Sequence, residues 1–231
     1  MREQDLMVLR KRAFTYKRKQ RLIALMQRTT NWNEPRTNVI IKSRRLLVLA
    51  TSGIHRYNGD PASSHQQFIQ TSLLLDGWTD DHLMSALAWG HDMKDDFRET
   101  YDYYVSKGLY SPELVRDIDR LSRNSDWKTL SFRDEIAESD RCIRSGGERT
   151  MVVKINDRRH NDLNPIKNTS EKRRRKSGMK VWQSVNSILP MAKDIGYKHK
   201  ELTWLNNRQL QRLGYTAAEL DKLVLRPLDN P

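Results

Sequence analysis

His91 and Asp92 stand side by side in the chain and are followed at once by Met93-Lys94-Asp95-Asp96. An imidazole nitrogen beside a carboxylate can share one cation, and two further carboxylates come within about one helical turn. His65 lies upstream on a predicted helix, and Asp157 lies downstream in Lys154-Ile-Asn-Asp-Arg-Arg-His-Asn161. Two His and two Asp without a thiolate suit a hard or borderline ion. Manganese is the first expectation and iron the next, with zinc less favoured because structural zinc recruits sulfur. Four protein ligands on a six-coordinate ion leave room for water and a phosphate oxygen, the arrangement that metal-assisted phosphate hydrolysis needs. Asp95 is four residues from His91 and Asp96 four from Asp92, so an unbroken helix would return both carboxylates to the ligand side. One of them would then orient the water or carry its proton. Alone, an Asp-Asp pair is a solvated helix end and a lone His65 is a packed or surface histidine; only the joint order points to a site.

The elements that must carry these residues read as helices. Residues 6–28 form a basic, loosely amphipathic pattern, and residues 30–38 hold the Asn, Pro and Thr of a connector. A helix is predicted from Ser43 to about Ile54, then a loop over Arg56-Tyr-Asn-Gly-Asp-Pro61, then a helix from Ser64 to Leu75. Thr79 is the expected cap of a helix from Asp80 to about Lys94, which delivers His91-Asp92 near its end. Ser111-Pro112 opens a helix to about Arg123, and Phe132 to Ser145 is closed by Gly146-Gly147. Glu148 to Asn161 carries Asp157, Ser170 to Leu189 stops before Pro190, and Thr216-Ala-Ala-Glu219 is a capping box. Only Val39-Ile-Ile41 resembles a strand, and one strand makes no sheet, so the expected fold class is all-α.

Composition bounds the partners. Hydrophobic residues make up 37% and charged residues 31% of 231, with no apolar run long enough to span a membrane. Residues 1–7 lack the apolar stretch of a secretory signal, and one cysteine, Cys142, excludes an internal disulfide or a CxxC zinc site. A cytoplasmic protein is therefore expected. The formal charge of +13 is concentrated at two places: residues 1–45 hold 13 Lys and Arg against 3 Asp and Glu, and residues 165–200 hold 10 against 2. Two basic segments thus flank a mildly acidic middle, and such fields attract nucleic acid, anionic lipid or a highly phosphorylated nucleotide alike.

Four motifs in order resemble the RelA/SpoT-type alarmone hydrolases, whose ligand pattern is that of the HD phosphohydrolases. Arg56-Tyr-Asn-Gly-Asp-Pro-Ala-Ser-Ser-His65 is similar to their R-K-S-G-E-P-Y-I-x-H, and Ala86-Leu-Ala-Trp-Gly-His-Asp-Met-Lys-Asp-Asp96 to their A-A-L-L-H-D-V-V-E-D. Val152 to Asn161 resembles L-V-K-L-A-D-R-L-H-N. Glu171-Lys-Arg-Arg-Arg resembles E-K-Q-R-R, and Ile188-Leu-Pro-Met-Ala-Lys-Asp-Ile-Gly-Tyr197 resembles Y-A-P-L-A-x-R-L-G. The resemblance covers roughly residues 43–197. It implies an HD-domain helical bundle over 43–197, preceded by a basic N-terminal helical extension (1–42) and followed by a short helical C-terminal extension (198–231).

The resemblance also implies roles. His65, His91, Asp92 and Asp157 match the family's manganese ligands, and Asp95 and Asp96 match the acidic pair that acts on the nucleophilic water. Arg56 matches a residue that stacks on guanine, and Asn161 one that contacts the nucleotide. Lys154 is a phosphate contact or a solvated flank of its helix. Asn164 stands where the family has a substrate-touching threonine; Thr51, Tyr57, Ala62-Ser63 and Gln66 are further departures, and all lie outside the metal set. The expected activity is removal of the 3′-pyrophosphate of (p)ppGpp to leave GDP or GTP, by a stand-alone small alarmone hydrolase. The alternatives are another phosphorylated nucleotide of the NADPH kind, or a basic nucleic-acid-binding protein on an HD scaffold, working through residues 1–45 and the Glu171–Lys176 run.

Overall fold

Helix ends fall where short polar side chains can satisfy the first free backbone N–H groups. The computed structural model describes residues 34–56, 59–123, 130–163 and 170–224. The basic helix expected over 6–28 and the candidate residue Asn164 lie outside them. Among the described residues every regular element is helical, with one isolated bridging pair between His55 and Pro61. The all-α expectation holds. No helix among them is long and apolar enough to cross a membrane.

The chain divides into two compact units, one ending at Gly90 and one starting at His91. In the first, α1 (Glu34–Ala50) and α2 (Ser64–Leu75) both pack on α3 (His82–Gly90). The α2 bounds match the sequence reading. Helix α1 starts earlier than expected and absorbs Val39-Ile-Ile41. Ile40, Ser43 and Leu47 are buried at helical spacing, and that packing outweighs the β-leaning propensity of a short branched run. Asp81, rather than Thr79, caps α3, its Oδ1 accepting from the Met84 N–H at 2.9 Å. Trp89 is almost fully buried, and its indole N–H donates to Gln70 Oε1 at 2.8 Å, tying α3 to α2.

The helix expected to run through His91 stops at Gly90. His91 and Asp92 form a turn, and the chain resumes as the short α4 (Met93–Asp96). Glycine weakens helix propensity at that position, and a turn there sets the His91 and Asp92 side chains at a corner instead of on one continuous face. Then come α5 (Arg98–Ser106), α6 (Pro112–Leu121), α7 (Phe132–Ser145), α8 (Glu148–Leu163), α9 (Glu171–Gln183), α10 (Leu189–Asp194), α11 (His199–Leu213) and α12 (Ala217–Val224). Ser111, Ser131 and Ser170 cap α6, α7 and α9 through their hydroxyls. Thr216 and Glu219 close the predicted capping box on α12 in both directions.

Pro190 does not end its helix. A π-helical turn over Ser184–Ile188 joins α9 to α10, and Pro190 sits in the first turn of α10. A wider turn relaxes the hydrogen-bond ladder where proline has no N–H to give. Phe132, Ile136, Met179, Trp182, Leu213, Leu220 and Val224 form one apolar cluster that unites α7, α9, α11 and α12.

Helix α8 is the hub of this unit and packs against α6, α7, α10 and α11. Its entry is set by the α7–α8 corner. Gly147 has φ 73°, a conformation that favours glycine, while Gly146 lies so close to Thr150 that a Cβ there would collide with the threonine side chain. Thr150 is fully buried, and its hydroxyl donates to Ile143 O at 2.6 Å. Gly146→Ala is expected to destabilise the protein by ~1–3 kcal/mol, the usual cost of overpacking, read from urea unfolding.

Candidate metal centre

Most of the α8 surface is covered by neighbours, so its charged side chains are balanced inside the protein. Asp157 occupies the centre of the helix and is 8% exposed. Its Oδ2 accepts from Lys154 Nζ at 3.0 Å and its Oδ1 from Asn161 Nδ2 at 2.7 Å. The spacings of three and four residues place all three side chains on one helix face. His91 is also buried, and its Nε2 lies 3.1 Å from Asp92 Oδ2. His91 and Asp157 each offer a ligand atom, and these two atoms lie within 4.8 Å of one another.

Electrostatics at this corner favour positive charge. Burial by itself lowers the pKa of His91, but the carboxylates of Asp92 and Asp157 overcome it and raise the value from 6.5 to about 8. Lys154 shows the same balance: burial opposes its charge, and Asp157, Asp92 and Asp95 more than restore it, so its pKa rises. Both shifts run the same way, so the surroundings favour positive charge on His91 and on Lys154. The donors are nitrogen and oxygen only, and Cys142, on α7, is no part of the set. Nitrogen and oxygen donors of this kind are those a hard or borderline divalent ion prefers.

Asp95 accepts from the Arg123 backbone N–H at 3.0 Å, at the C-terminal end of α6. The protein around its carboxyl pushes its pKa up, against the opposing pull of the Arg123 N–H and of Lys154. Asp96 is exposed, and its backbone N–H donates to Asp92 O at 2.9 Å, which ties it to the dyad through the main chain. In the N-terminal unit, His65 is 2% exposed on α2, and Arg56 is half-buried in the preceding loop with its N–H on Asp60 O at 2.7 Å. Of the tyrosines after the acidic pair, Tyr101 and Tyr104 are buried against Tyr110, which is packing, and Tyr103 is exposed.

Sequence reasoning did not anticipate how α8 is held. Arg159, fully buried, donates from Nη2 to both Glu201 oxygens, at 2.9 and 2.7 Å, and also donates to Asn156 Oδ1. Asn156 in turn donates to Tyr197 Oη at 2.9 Å, and Gln209 Nε2 to Asp162 O at 2.9 Å. Glu201 and Gln209 fall on the same buried stripe of α11 as Leu202, Leu205 and Leu213. An acid in register with Leu202, Leu205 and Leu213 is the signal that would have marked Glu201 as a buried partner. Arg158 makes a two-pronged pair with the buried Asp162, so three consecutive residues, Asp157 to Arg159, each have a fixed ionic neighbour.

A scan against protein-family models finds no match to this chain, and a search of curated proteins finds none.

Were His91 to ligate manganese, the ion would have to displace its proton, and affinity would fall about tenfold per pH unit below about 8 and level off above it, as isothermal titration across pH 6–9 would show. For the metal-free protein the sign is opposite: stability from the His91 proton is complete below 6.5 and lost as pH rises through about 8. Glu201→Ala strands a buried guanidinium and should cost ~3–5 kcal/mol in chemical unfolding.

Proposed function

We propose that this protein is a metal-dependent phosphohydrolase of the HD type, acting in the cytoplasm on the 3′-pyrophosphate of (p)ppGpp. The observation that carries the reading is the buried His91 imidazole set against two carboxylates, with Lys154 and Asn161 fixing the second of them. His65 is assigned as the remaining ligand beside His91, Asp92 and Asp157 on the order of the motifs and on its burial. Manganese held there would supply Lewis-acid charge next to a phosphoryl group and lower the pKa of a water molecule. Asp95 and Asp96 carry the proton work. Water adds to the phosphorus on the ribose 3′ oxygen, an aspartate takes its proton, the P–O bond to the ribose breaks, and pyrophosphate leaves as the 3′ oxygen regains a proton. A carboxyl whose pKa is raised by its surroundings, as that of Asp95 is, suits a group that must both accept and return a proton. Arg56, Lys154, Asn161 and Asn164 are the proposed contacts to the guanine nucleotide. Lys154, whose ammonium balances Asp157 at 3.0 Å, supports that assignment by its charge and its place beside a proposed ligand.

A second reading, another phosphorylated nucleotide, is favoured by one specific feature. Thr51 stands where the resembling enzymes have a histidine, and its hydroxyl is turned inward to donate to Leu47 O at 2.9 Å. It closes the end of α1, and a pocket built around it would present different chemistry to a base.

Manganese-loaded protein incubated with ppGpp, pppGpp and NADPH should release pyrophosphate from the first two. Phosphate from NADPH alone would favour the second reading, and no release from any would overturn both. Asp96→Asn should keep metal affinity while lowering kcat by about a hundredfold or more; full turnover by that variant would remove Asp96 from the mechanism.

A further inference from the structure

We propose that the outward face of α11 is a binding surface for single-stranded nucleic acid. Its inner face holds Glu201, Leu202, Leu205, Asn206, Gln209 and Leu213, all buried. The outer face presents Lys200, Trp204, Arg208 and Arg212, each exposed, at a repeat of four residues. Successive members stand about 6 Å apart along the axis in a slowly winding stripe. The other exposed positions between them, Thr203, Asn207 and Gln211, are neutral. The helix has one acid, Glu201, and it is turned inward onto Arg159 at 2.7 Å. The stripe therefore carries cations and no carboxylate.

Trp204 is the second, independent feature. It is 42% exposed, and the Arg208 guanidinium lies 5.4 Å from its ring centroid. An indole left in water between cations matches a ligand with both aromatic faces and phosphates, because bases stack on such a ring while the backbone meets the charges. A membrane surface would call for a broader apolar face, and an acidic peptide would need the charges without the ring. The second basic element reaches the same end of the helix. Arg174 Nε donates to Leu213 O at 2.8 Å and its guanidinium lies 4.6 Å from the Tyr215 ring centroid, so α9 meets the C-terminus of α11. Arg173 and Lys176 are exposed there, with Glu171 and Glu219 the acids around Tyr215. This inference is independent of the phosphohydrolase reading.

The test uses the full chain and a fluorescein-labelled oligouridylate, followed by anisotropy between 50 and 200 mM salt (about the range in which phosphate contacts are read). Trp204→Ala should weaken binding about tenfold, and Trp204→Phe should restore most of the loss. Lys200→Gln with Arg208→Gln should reduce the slope of log Kobs against log salt by about 1.4. Thermal melts of all variants check that the fold is kept, and Trp204→Phe keeps the test decisive if Trp204→Ala melts early. Wild-type affinity and slope in the α11 variants would overturn the proposal. So would a wild-type chain that does not bind the oligonucleotide, or equal losses for oligouridylate and heparin with Trp204→Ala silent.

Discussion

Charge buried along one helix is the constraint on which the C-terminal unit depends. Helix α8 is enclosed by four others, yet it carries Lys154, Asp157, Arg158, Arg159 and Asp162 within nine residues. Each of these groups is expensive to remove from water, and each has an ionic partner at hydrogen-bond distance. Two of the partnerships are local, at helical spacings, and they set the rotamers of Asp157 and Asp162. The third, Arg159 with Glu201, crosses between helices and fixes where α11 must lie. Fold and site therefore share components: the contact that docks α11 begins two residues from the carboxylate that faces His91.

The same logic explains the character of the acidic corner. His91, Asp92, Asp95 and Asp157 would amount to bare carboxylates repelling one another around a neutral ring. The ammonium of Lys154 offsets that repulsion, and the carboxylates raise the affinity of His91 for a proton. The corner is thus organised around positive charge, and its nitrogen and oxygen donors are those a hard or borderline divalent ion prefers.

Much of the architecture was legible because it is local. The hydroxyls of Ser111, Ser131 and Ser170 mark helix starts through bonds to residues three positions on, and such bonds leave a trace in the sequence. The same holds for the face shared by Lys154, Asp157 and Asn161, which follows from spacing alone. What escaped was set by packing or by distant partners. Val39-Ile-Ile41 resembles a strand until α3 is placed beside it. The turn at His91-Asp92 interrupts a continuous apolar period and has only Gly90 as its sign. Glu201 shares no motif with Arg159, and 42 residues separate them.

The π-helical turn at Ser184–Ile188 has a consequence for how this chain tolerates changes in length. Each residue of a helix advances the next by about 100°, so a wide turn acts as a phase shifter between the segments on either side. Trp182 before it and Met191 after it both point into protein on that shifted phase. Losing a single residue from this stretch would let an ordinary helical turn replace the wide one and leave Met191 and Ala192 on their buried side, because five residues of a π turn sweep about the same angle as four of an α-helix. A one-residue deletion here would accordingly be accommodated where a one-residue insertion would turn buried side chains out of register.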